Sequence, residues 1–108
     1  MIEMTQQSTP FVSIHPGEII KDEIECRGIS QRKLSDIMAI QYTMLNEILN
    51  GKRTLSIETA LMFEAALGIS AEMLIGIQAA YSLQNARKSP SLLDRFEQIR
   101  SSYAAAML

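Results

Sequence analysis

The chain has 108 residues, 47% of them hydrophobic and 20% charged, which describes one folded domain with a core and excludes a disordered tail or two independent cores. No apolar stretch reaches the roughly 18 residues of a membrane span, the opening MIEMTQQSTP lacks the basic and apolar regions of a secretory leader, and a single cysteine, Cys26, excludes an intrachain disulfide. The net charge of -2 speaks against nucleic acid only until the charges are placed: residues 27–53 hold five cations and two anions, residues 54–80 only three anions, and phosphate binding follows the local field.

A reducing, cytoplasmic setting with no membrane contact is therefore expected, and Cys26 is expected to be an ordinary buried thiol. The chain shows no alternation with a period of two and no run of β-branched and aromatic residues between turn signals. The fold class is all-α.

Residues 1–13 carry no periodicity and are expected to form a flexible arm. The first helix opens at Pro16, where a missing N–H costs nothing, and closes before Gly28. Ile20 and Ile24 define its inner face, with Glu18 in the first turn and Arg27 in the last, as the helix dipole favours. His15, directly before Pro16, is expected to serve the loop or the cap. Glu18, Asp22 and Glu25 share one flank, which is expected to be a solvated acidic face.

Ser30 caps a second helix whose apolar residues Leu34, Ile37 and Met38 follow helical spacing to about Ala39. A third helix begins near Gln41, buries Leu45, Ile48 and Leu49, and stops at Asn50-Gly51. Ser56 caps a fourth helix, TALMFEAAL, which is apolar nearly all round, ends at Gly68 and is expected to be central to the core. Ser70 caps a longer fifth helix reaching Ser89-Pro90. The remaining LLDRFEQIRSSYAAAML is a sixth helix, with Leu92, Phe96, Ile99 and Tyr103 on one stripe.

Helices two and three have the form of a helix-turn-helix, whose second helix enters the major groove of DNA. Leu34, Met38, Ile40, Leu45 and Ile48 are the apolar positions such a pair must pack. Gln41, Tyr42, Thr43 and Asn46 are then the candidate base readers: amides can pair with adenine, Thr offers a methyl to thymine, and Tyr reaches base or phosphate. Gln31 and Arg32 near the start of helix two, with Lys52 and Arg53 beyond helix three, are the candidate clamps on the sugar-phosphate backbone. No phosphate-cradling glycine loop, nucleophile elbow, Ser-His-Asp set or metal-ligand spacing occurs, so the reading is of a non-enzyme without metal or cofactor.

From His15 to Lys88 the sequence resembles the HigA-type addiction-module antitoxins, a branch of the phage-repressor-like Xre (Cro/cI) helix-turn-helix superfamily. His-Pro-Gly-Glu at 15–18, Asn-Gly-Lys-Arg at 50–53, Ala-Leu at 60–61, Ala-Leu-Gly at 66–68, and Gln78 with Tyr81 carry the resemblance. It implies a five-helix lambda-repressor-like core over 14–88; the tail over 89–108 goes beyond the family's usual end, and its striped C-terminal helix either folds back on the domain or serves dimerisation or partner contact. It also implies a homodimer on a palindromic double-stranded operator, repression of its own operon, and neutralisation of a RelE-like ribonuclease toxin. Base reading by Gln41, Tyr42, Thr43 and Asn46 and backbone contact by Gln31, Lys52 and Arg53 carry over position by position. The chain departs from the family at Ala39, where Gly is favoured, at Ser35, where Ala is usual, and at Met73-Leu74-Ile75, where a Trp is frequent. A solitary Xre-type regulator, or an interaction module that keeps the fold without binding DNA, are the alternative functions.

Overall fold

The computed structural model describes residues 13–108; the expected arm at 1–13 lies, but for Ser13, outside the described residues. Six helices follow in order: α1 (Pro16–Arg27), α2 (Gln31–Met38), α3 (Tyr42–Leu49), α4 (Ile57–Leu67), α5 (Ala71–Ala86) and α6 (Pro90–Ala106). There is no strand among the described residues.

Local chemistry accounts for where these helices start and stop. The hydroxyls of Ser30, Ser56 and Ser70 accept from the backbone N–H groups of Lys33, Thr59 and Met73, satisfying donors the first helical turn leaves unpaired. Proline stands at the first position of both α1 and α6. Gly28 and Gly68 end α1 and α4 in the left-handed conformation.

The core gathers Ile20 and Ile24 from α1, Leu34 and Met38 from α2, Leu45, Ile48 and Leu49 from α3, Phe63 and Leu67 from α4, and Leu74 from α5. Phe63 is the largest side chain wholly shielded from solvent. α4 packs on α5 and α2, while α3 packs on α1 and α2. At the α1–α3 contact Gly17 approaches so closely that a Cβ there would stand 2.0 Å from the Ile48 carbonyl oxygen.

Several expectations are corrected. Ile37 is 56% exposed, because α2 turns Leu34, Ser35 and Met38 inward instead; Ser35 fits there since its hydroxyl donates back to the Arg32 carbonyl at 2.8 Å. Cys26 is exposed rather than buried, being on the flank of α1 away from Ile20 and Ile24. α4 is not enclosed all round: Thr59, Ala60, Phe63 and Leu67 are buried, but Ile57, Leu61 and Met62 face outward. α6 buries none of its residues and stands off the core, a rod of about 25 Å in a molecule 60 Å long.

Candidate nucleic-acid interface

α2 and α3 are joined by a three-residue turn, Ala39–Gln41, in which Ala39 takes φ 54 and ψ 43. The left-handed kink lets the Ile40 N–H return to the Ser35 carbonyl and the Ala39 N–H to that of Asp36. α3 then starts with Gln41, Tyr42 and Thr43 exposed, its first turn clear of the core. Gln41 is its N-cap residue by backbone geometry but makes no side-chain cap bond, so its amide is not consumed locally.

Gln41, Tyr42 and Thr43 are exposed and Asn46 is half-buried, while Leu45, Ile48 and Leu49 on the reverse of the same helix are sealed. The four candidate readers therefore form one continuous outward edge, as i, i+3 and i, i+4 spacing requires. The first two residues of α2 each hold one of them. Asn46 Nδ2 donates to Gln31 Oε1 at 3.0 Å, and the Arg32 guanidinium lies 4.5 Å above the centre of the Tyr42 ring, a cation–π distance. Arg32, expected as a backbone clamp, thus also supports the Tyr42 ring.

Beyond α3 the chain turns at Gly51 (φ 73), with the Lys52 N–H closing onto the Glu47 carbonyl at 2.8 Å. The Lys52 side chain is exposed. Arg53 is engaged: its Nε and Nη2 donate to Glu47 Oε1 at 2.9 and 2.8 Å. In the sequence Glu47 counts only as one of the two anions over residues 27–53, although its position four residues after Thr43 was the signal that it shares the same outward edge.

The loop bearing these cations is pinned at both ends. His15 Nδ1 accepts from the Gly17 N–H at 3.0 Å, so the neutral ring carries its proton on Nε2 and donates it to the Arg53 carbonyl, also at 3.0 Å. Its ring meets Tyr81 of α5 edge-on, centroids 5.1 Å apart. Burial holds the His15 pKa below its ordinary value, against the opposing pull of the Arg53 carbonyl and of Glu18. Farther along, Gln78 Oε1 accepts from the buried Leu55 N–H at 2.9 Å while its Nε2 donates to Ser82. The motif residues His15, Gly17, Gln78 and Tyr81 are accordingly joints, and what they fix is the attitude of the Lys52–Arg53 loop.

Among the described residues no three His, Cys, Asp or Glu side chains converge as metal ligands do, and no helix is long and apolar enough to cross a membrane. The edge offers amide, hydroxyl and phenol groups flanked by cations, groups able to hydrogen-bond to base edges and to phosphate.

The family model described as helix-turn-helix matches residues 20–74. Virulence-associated protein I of Dichelobacter nodosus is 31% identical over 70% of this chain and 71% of its own length. Among solved structures, an addiction-module antidote protein of the HigA family from Coxiella burnetii is 31% identical at a TM-score of 0.68, covering 79% of this chain and 95% of that one. The Pseudomonas aeruginosa antitoxin HigA, solved with the higBA promoter, is 28% identical at a TM-score of 0.66, covering 81% and 90%.

Proposed function

Since the chain belongs to the Xre-type helix-turn-helix family, in its HigA-like branch, we propose that it is a DNA-binding antitoxin that reads an operator through the edge formed by Gln41, Tyr42, Thr43 and Asn46. The observation that carries this reading is that edge itself: three exposed polar side chains and a fourth held by Gln31, on a helix whose other face is sealed in the core. Lys52 and Arg53 at one end and Gln31 and Arg32 at the other contact the backbone phosphates, giving affinity, while the edge gives selectivity.

One short helix reaches few base pairs, so two copies act on a palindromic site, one per half-site. The operator lies upstream of the protein's own operon, and the second activity is neutralisation of a RelE-like ribonuclease encoded beside it. The HigA relatives support both, one being an addiction-module antidote and another having been solved on a promoter.

The test is equilibrium binding of labelled upstream duplex across a salt series. Lys52→Ala lowers affinity for all sequences alike and reduces the salt slope by about one, and Arg53→Ala also lowers affinity. Gln41→Ala and Asn46→Ala instead change which sequence is preferred, by about 1–3 kcal/mol at the affected base pair. Binding unmoved by all four changes rejects the site. Absence of any salt-dependent duplex binding favours the interaction-module reading, and a protein that represses its operon yet fails to rescue growth from the adjacent toxin is a solitary regulator.

A further inference from the structure

Glu47 follows Thr43 by one helical turn and adjoins Asn46, which places it on the reading edge of α3. Its side chain is about half exposed (45%), and both contacts from Arg53 fall on a single oxygen, Oε1. The guanidinium therefore orients the carboxylate while Oε2 keeps its accepting capacity. An ionised carboxylate can only accept. In the major groove, guanine presents acceptors at N7 and O6 and thymine an acceptor at O4; cytosine presents its N4 amine and adenine its N6 amine beside an N7 acceptor. A fixed carboxylate on that edge gains from an amine and is repelled by guanine or thymine.

We propose that Glu47 is a specificity-determining residue for DNA: held by Arg53, it selects an exocyclic amine, cytosine N4 ahead of adenine N6, at the base beneath it. This rests on the DNA-reading function proposed above. Arg53 then has two duties, orienting Glu47 through Nε and Nη2 and reaching phosphate through its remaining N–H groups. The carboxylate also restrains binding to unrelated duplex, because most base edges meet it acceptor first and because it offsets a cation that would otherwise attract any backbone.

The experiment is selection from a random duplex pool by the full chain, comparing wild type with Glu47→Gln and Arg53→Lys, each checked by thermal melting for retention of the fold. Wild type is expected to enrich a site with cytosine or adenine at one position per half-site. Glu47→Gln, nearly isosteric but able to donate, is expected to lose about 10-fold or more of the discrimination at that position, to leave the other positions intact, and to bind non-operator duplex several-fold more tightly. Arg53→Lys, which keeps the charge but not the fork, is expected to blur the same position. An unchanged selected site in Glu47→Gln, even with a lowered melting temperature, overturns the inference and leaves the DNA-reading function standing. Enrichment of no sequence by wild type overturns both.

Discussion

A methyl group at position 17 would lie 2.0 Å from the Ile48 carbonyl oxygen, and that oxygen belongs to backbone with no rotamer in which to retreat. Gly17→Ala must push α1 off α3, at a cost of about 1–3 kcal/mol or more; urea unfolding read by circular dichroism measures it. Ala39 presents the reverse case. It holds a left-handed conformation, φ 54 and ψ 43, which costs an L-residue roughly 1–2 kcal/mol, part of which a glycine would return through its freer unfolded chain. Ala39→Gly is therefore expected to raise stability by up to about 1 kcal/mol, with duplex affinity unchanged, as seen by the same unfolding assay beside a binding titration. Both positions were legible at different depths. The turn demanded a left-handed residue and the sequence offered Ala there, whereas nothing local to Gly17 reveals which backbone will approach it.

Helix boundaries were legible because caps are local: serine accepts an N–H three residues on, and glycine takes the left-handed exit, whatever the rest of the chain does. Faces were harder. On α2 the apolar spacing of Leu34, Ile37 and Met38 pointed one way, yet the helix buries Ser35 and exposes Ile37, because what enters a helix crossing is decided by the partner surface. Glu47 was missed for a related reason, since its role depends on Arg53 folding back across the turn at Gly51 to meet it. α6 shows an element whose existence is plain in the sequence but which buries none of its residues against the core. Leu92, Phe96, Ile99 and Tyr103 follow the four-three-four spacing of a two-helix seam, and none is buried. Ending the chain after Lys88 should leave the unfolding free energy of the remaining domain within about 0.5 kcal/mol of the full chain. Sedimentation should then show the mass falling from the proposed homodimer to one protomer; a truncated domain that stays dimeric would place the seam elsewhere.

At the scale of the whole molecule, opposing charges are segregated rather than absent, so an overall -2 coexists with a cationic excess over residues 27–53. What keeps its Lys52–Arg53 end in one attitude is a junction where the start of α1, the loop after α3 and α5 meet on His15. The junction needs a neutral ring, because Nδ1 must accept from Gly17 while Nε2 donates to Arg53; a proton on Nδ1 would face another N–H and forfeit the cap. Burial accordingly lowers the His15 pKa below its ordinary value of 6.5. Between the folded and ordinary values the unfolded chain binds more protons than the native one, so stability rises with pH across that window. The contribution is complete above about pH 6.5 and is lost as pH falls through the folded value. His15 is the single histidine, so unfolding free energies measured from pH 7.5 down to 5.5 should decline in the wild type. His15→Gln should be less stable at neutral pH and flatter over that range; a wild-type curve already flat there would mean that the ring keeps its proton acceptor free at no cost, and that the junction is not what burial holds neutral.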